Sequence, residues 1–157
     1  MSKLANGPSV SRRQIMIGMS AAAFAALSLP TGEALATALD VDAAVMKKIG
    51  NKTPKSGRIK LELPEIAENG STVPLTVHVE SPMTNGDYVK QVHFFAELNP
   101  NPDVATFNFT PRSGKASAST RIRLAKTQNI VAVAEMSDGS VFINKSQVKV
   151  TIGGCGG

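Results

Sequence analysis

From Arg58 onward apolar residues recur at every second position, and this period constrains the fold more than any other feature. Ile59, Leu61 and Leu63 alternate with Arg58, Lys60 and Glu62, and Leu75, Val77 and Val79 alternate with Thr76, His78 and Glu80. A period of two sends successive side chains to opposite faces of a strand. Tyr88–Leu98, Thr106–Thr110, Ser117–Leu124, Val141–Asn144 and Gln147–Ile152 read as further strands. Ile130–Met136 is almost continuously apolar, as a central strand would be. Between them, Pro64–Thr72 reads as a polar loop, Asn99-Pro100-Asn101-Pro102 and Asp138-Gly139 as turns, and Asn85-Gly86 as the strongest hairpin signal. About seven short strands with turn signals between them predict an all-β, immunoglobulin-like antiparallel β-sandwich. A short helix precedes them, with Asp40 as N-cap, Lys47 and Lys48 near its C-terminus and Gly50 as the stop. Its apolar stripe is Val41, Ala44, Val45 and Ile49.

Residues 1–36 carry a different pattern, that of an export signal. Arg12-Arg13 precedes an uncharged stretch from Ile15 to Leu29, which is shorter than the roughly 20 residues a membrane-spanning helix needs. Pro30 and Gly32 end it, and Ala34-Leu35-Ala36 offers a small-x-small cleavage site. The paired arginines resemble a twin-arginine signal, with Ile15 and Met16 in the slots usually held by an aromatic or large apolar residue. An ordinary secretory signal is the alternative, and both routes place the mature protein in the periplasm. The expected organisation is a removable signal over 1–36, a sandwich domain over 37–152 and an arm over 153–157.

With 42% hydrophobic and 18% charged residues, the chain suits one globular domain and is not disordered. The signal's Lys3, Arg12, Arg13 and Glu33 account for a net +2 of the formal +5, leaving +3 and no clustered basic stripe for nucleic acid. No Trp and a single Tyr leave no stacking platform for single-stranded nucleic acid. One Cys and two His exclude an intramolecular disulfide and a Cys-cluster zinc site. There is no nucleophile elbow, Walker loop or dinucleotide fingerprint.

His78 shares a solvated face with Thr76 and Glu80, and His93 reads as a surface or interface histidine. Phe95 stands on the otherwise polar face of its strand, opposite Val92, Phe94, Ala96 and Leu98. That placement suits a face covered by a partner subunit or, equally, by a segment of its own chain.

The only cysteine, Cys155, follows the last strand inside Gly153-Gly154-Cys155-Gly156-Gly157. Gly153, Gly154, Gly156 and Gly157 supply backbone freedom and no bulk beside the sulfur. Five such residues extend roughly 15 Å or more. This reads as a thiol on a mobile arm that enters narrow sites on other proteins, with activating groups supplied by those partners. An intermolecular disulfide tether also explains an exposed, odd cysteine, but not the four glycines. Position rules out a lipid-anchored cysteine after the signal and a prenylation box.

Together with the paired arginines, the motifs Pro64-Glu65-Ile66-Ala67-Glu68-Asn69-Gly70, Val73-Pro74, Ser81-Pro82-Met83, Asn99-Pro100, Thr120-Arg121-Ile122-Arg123-Leu124-Ala125 and the Gly-Gly-Cys-Gly-Gly segment resemble the SoxY family. These are the sulfur-carrier subunits of the periplasmic thiosulfate-oxidising (Sox) system. The resemblance implies a covalent carrier, not an enzyme, with Cys155 as the attachment point and no metal or haem of its own. It implies SoxZ as heterodimer partner and transient encounters with SoxXA, SoxB and, in some organisms, SoxCD. In that scheme SoxXA joins thiosulfate to Cys155 as an S-thiosulfonate, SoxB hydrolyses off sulfate, and SoxCD oxidises the remaining persulfide sulfur. A carrier of the same type in another sulfur pathway, or a disulfide-tethered structural subunit, are the competing readings.

Overall fold

The computed structural model describes residues 38–154. The expected export signal with Arg12 and Arg13, and the residues Cys155, Gly156 and Gly157, lie outside the described residues. Helix α1 spans Ala38–Ile49. It is followed by β1 (Lys55–Ser56), β2 (Ile59–Glu62), β3 (Ile66–Asn69), β4 (Val73–Val79) and β5 (Val89–Ala96). Then come β6 (Asp103–Asn108), a 3-10 turn over Pro111–Ser113, β7 (Ala116–Ile122), β8 (Gln128–Met136) and β9 (Val141–Ile152). The helix starts two residues ahead of the expected cap, so Asp40 lies in its first turn and is not the N-cap. Gly50 ends it at φ 65°, its N–H donating to the Met46 carbonyl at 2.8 Å.

Two sheets form an all-β sandwich. One has the order β1-β9-β8-β5-β6 with β3 also paired to β9, and the other has β2-β4-β7. The inner rows predicted by alternation meet between them. Val73, Leu75 and Val77 of β4 pack in one cluster with Val92 and Phe94 of β5, Ile130, Ala132 and Ala134 of β8, and Val148 of β9. Phe94 is fully buried and meets Phe107 edge-on, with ring centroids 5.9 Å apart. Such a pair adds about 0.5–1.5 kcal/mol beyond its buried area.

Three expectations change. Pro64–Thr72 contains a strand, β3, which pairs in parallel with β9 (Ile66 opposite Lys149, Ala67 opposite Val150). Its exposure pattern buries only Ala67, so the segment carries too little alternation to be read as a strand. Asn85-Gly86 does turn the chain, with Thr84 N–H donating to the Asp87 carbonyl, but it joins no hairpin. β4 pairs with β2 and β7 while β5 pairs with β6 and β8, so this connection crosses from one sheet to the other. Val141–Ile152 is one continuous strand rather than two.

The third layer resolves the puzzle of Phe95. Val41, Val45 and Ile49 of α1 pack on Phe95, Val131, Val133 and Val141, and Phe95 is fully buried. The face is therefore covered by the chain's own helix, not by a partner. Val41, Val45 and Ile49 each contribute about 1.5–3 kcal/mol by leaving water. This also explains the continuous apolar run in β8: Ile130, Ala132 and Ala134 face the second sheet, while Val131 and Val133 face the helix.

His93 is likewise buried, at 3% exposure, rather than on the surface. Its Nδ1 shares a hydrogen bond with Thr106 Oγ1 at 2.9 Å, and among the described residues Nε2 has no partner. Burial holds the imidazole below its ordinary value; Lys48 adds to this, and Glu135 and Asp103 oppose it. The unfolded chain therefore binds this proton more readily than the folded protein does. Stability from His93 is complete above the ordinary histidine pKa of about 6.5 and is lost as pH falls below it toward the depressed folded value. Melting temperature should fall between pH 7.5 and 5.5, and His93→Gln should flatten that slope. Equal slopes in the two proteins would contradict the assignment.

Candidate functional site

β9 carries the chain to Gly153-Gly154, directly before Cys155. Three segments converge on that point. The first is β3 and the turn that follows it. Lys149 N–H donates to the Glu65 carbonyl at 2.9 Å, and Gly70 N–H donates to the Ile152 carbonyl at 2.7 Å. Asn69 Oδ1 accepts from Ser71 N–H at 2.8 Å and so shapes the Gly70 turn.

The second is the connection between β7 and β8. Leu124 N–H donates to the Gly70 carbonyl at 2.8 Å, and the Leu124 carbonyl accepts from Gly154 N–H at 2.9 Å. Leu124 is fully buried, between the exposed Arg123 and the half-buried Ala125. Thr127 Oγ1 accepts from Val150 N–H at 2.9 Å.

The third is a buried polar pair beneath that connection. Asn99 and Gln128 are each only 2% exposed. Asn99 Nδ2 donates to the Arg123 carbonyl at 2.8 Å, and its Oδ1 accepts from Ala125 N–H at 3.0 Å and from Gln128 Nε2 at 2.8 Å. Gln128 Oε1 accepts from Leu98 N–H at 2.7 Å, and Nε2 reaches the Lys126 carbonyl at 3.1 Å. Every polar atom of the two amides is engaged, which is how a buried polar group avoids a desolvation cost of about 1–3 kcal/mol.

The structure thus places Gly153 and Gly154 in backbone contact, where the sequence suggested a free arm. Gly154 is buried. A Cβ on Gly153 would lie 2.1 Å from the Ala125 carbonyl oxygen, and one on Gly154 would lie 2.8 Å from the Gly70 carbonyl. A Cβ on Gly70 would lie 2.2 Å from the Leu124 oxygen. Close approach, rather than freedom, is what these positions require of glycine. Asn99, Gln128, Gly70 and Leu124 escaped notice as site residues. The Asn69-Gly70 dipeptide is a turn signal, but nothing local shows what the turn meets.

His78 stands exposed on β4, 3.8 Å from Glu62 through Nε2, and does not join this site. His93 bonds Thr106 of β6 and does not join it either. Among the described residues, no three His, Cys, Asp or Glu side chains gather as a metal-binding group. Ile66 of β3 and Ile152 of β9 are exposed apolar residues on the strands that lead to the site.

Comparison with known proteins gives the arrangement a context. The solved sulfur carrier protein SoxY from Chlorobium limicola f thiosulfatophilum is 37% identical over 74% of this chain and 100% of its own, with a TM-score of 0.63. The superoxide reductase (neelaredoxin) from Ignicoccus hospitalis is 18% identical over 76% of this chain and 98% of its own, with a TM-score of 0.52. A putative superoxide reductase from Thermotoga maritima is 16% identical over 62% and 93%, with a TM-score of 0.53. The likeness to these two reductases is one of fold alone. No curated protein matches the chain significantly. The model of the family described as sulfur oxidation protein SoxY matches residues 45–155, from the helix through both sheets to the single cysteine, and the chain belongs to the SoxY family.

Proposed function

We propose that this protein is a covalent sulfur carrier of periplasmic thiosulfate oxidation, with Cys155 as the point of attachment. The observation that carries the reading is the reach of the family match, which runs through the fold and ends on the only cysteine in the chain. The 37% identical Chlorobium relative is a sulfur carrier protein, which supports the same role here.

The chemistry asks little of the carrier beyond an accessible thiolate. The sulfane sulfur of thiosulfate bonds to Cys155 Sγ, and the two electrons released pass to a haem-bearing partner of the SoxXA type. The product is a cysteine S-thiosulfonate. Water then attacks the terminal sulfone in a SoxB-type hydrolase, sulfate and two protons leave, and a persulfide stays on Cys155. Where the host carries a SoxCD-type enzyme, that sulfur is oxidised in turn. SoxZ is the heterodimer partner in this scheme. The carrier supplies the thiol and its presentation, and the enzymes supply activation, so it holds no resident metal or haem.

Deleting the chain from its host should remove thiosulfate-dependent sulfate formation, and returning it should restore the activity. An undiminished rate without it would contradict the reading. Export is tested separately. Replacing Arg12 and Arg13 together by Lys should leave the uncut precursor in the cytoplasm, whereas the wild-type mature chain should begin at Thr37. Normal export of the double variant would indicate the ordinary secretory route.

A further inference from the structure

Three glycines from two distant parts of the chain stand where β9 ends, and each would drive a Cβ to within 2.8 Å of backbone atoms: Gly70 against Leu124 and Gly154, Gly153 against Ala125, and Gly154 against Gly70. We propose that Gly70, Gly153 and Gly154 form a clasp that fixes the point at which the thiol leaves the protein. In this clasp Gly70 is a positioning residue for Cys155, and Asn99 and Gln128 are positioning residues for the loop on which it closes. The proposal rests on the carrier reading only for its functional consequence.

The hydrogen bonds run in sequence around the clasp. Gly70 donates to Ile152, Leu124 donates to Gly70, and Gly154 donates to Leu124. A turn after β3 is thereby tied to the end of β9 on one side and to the β7–β8 connection on the other. No side chain stands between these backbones, because at each of the three positions it would collide with a carbonyl group. Gly154 is held by its amide as well as by contact. The β7–β8 connection is itself fixed from beneath by Asn99, which holds Arg123 and Ala125 on either side of Leu124.

The consequence is one of reach. A segment free from Gly153 would carry the sulfur roughly 13 Å from the Ile152 Cα. Held at Gly154, the chain takes one peptide step of about 3.8 Å to Cys155, which keeps the sulfur within roughly 7 Å of the Gly154 Cα. Partner enzymes that accept the thiol must then accommodate the rim made by residues 69–71 and 123–126. Deeper insertion requires rupture of the bond between Gly154 and Leu124.

The test uses the mature protein and does not depend on sulfur chemistry. In the wild type, amide hydrogen exchange at Gly154 should be slowed at least roughly tenfold relative to free chain. A nitroxide attached to Cys155, the only thiol, should gain mobility in Gly70→Ala and Asn99→Ala but not in Gly86→Ala, where a Cβ meets open space. Core amides such as that of Phe94 should stay protected in all of them. If Gly70→Ala does not fold, the wild-type exchange rate decides alone. A Gly154 amide exchanging at the free-chain rate would overturn the clasp, as would equal label mobility in the Gly70 and Gly86 variants. Failure of the carrier reading would appear elsewhere, as an absence of sulfur adducts on Cys155.

Discussion

Replacing Cys155 by Ser should abolish sulfur carriage while leaving the fold intact. The hydroxyl is smaller than the thiol and fits wherever the thiol does, but it forms no stable bond to sulfane sulfur and is essentially un-ionised near neutral pH. A thiol of ordinary pKa, about 8.5, is by contrast a few per cent thiolate there. No other cysteine stands in the chain to take over. The expected loss is complete rather than graded, with thiosulfate-dependent sulfate formation falling to that of the deletion strain. Melting temperature and sheet content should match the wild type, because the change exchanges one sulfur for one oxygen at a position past the last strand. Wild-type rates from the Ser variant would remove the thiol from the mechanism.

The largest effect on stability should come from Phe94→Ala. Phe94 sits on the central strand pair β5·β8, opposite Ala132, fully buried and edge-on to Phe107. Truncation removes a benzyl group from the layer between the sheets and leaves a cavity that strands on both sides cannot easily close. Phe→Ala changes of this kind cost about 3–5 kcal/mol. Small domains have only about 5–15 kcal/mol in total. A fall in melting temperature of roughly 10–20 °C follows for a chain of this size. Truncating a half-buried aromatic such as Phe109 should cost clearly less. Urea denaturation of the two variants side by side checks the ranking, and equal midpoints would contradict it.

The strands whose alternation faces one core were legible in the sequence, as β2 and β4 show. So was the apolar stripe of α1, because its period is equally local. What the sequence left open is what covers each face. Phe95 on the otherwise polar face of its strand signals an occupant, but whether that occupant is a partner or Val41, Val45 and Ile49 depends on packing across some fifty positions. β3 was missed because parallel pairing with β9 has no local signature and only one of its residues is buried. Asn85-Gly86 specifies a turn, not which strands flank it.

The glycines teach the same lesson at the candidate site. In sequence, Gly153 and Gly154 read as freedom, whereas the structure gives them close approach, and the two have opposite mechanical consequences. Only the carbonyls of Gly70, Leu124 and Ala125 decide between them. The thiol itself was conspicuous, since one cysteine among four glycines admits few readings. The buried amides of Asn99 and Gln128, which hold the β7–β8 connection, gave no such signal.

The central claim is that Cys155 carries sulfur covalently. Intact mass spectrometry of the mature protein, trapped fresh from thiosulfate-oxidising cells and compared with and without reductant, tests it most directly. Reductant-sensitive thiosulfonate or sulfane-sulfur adducts mapped to Cys155 are the predicted result. A bare thiol, or only a Cys155-linked dimer, would contradict it.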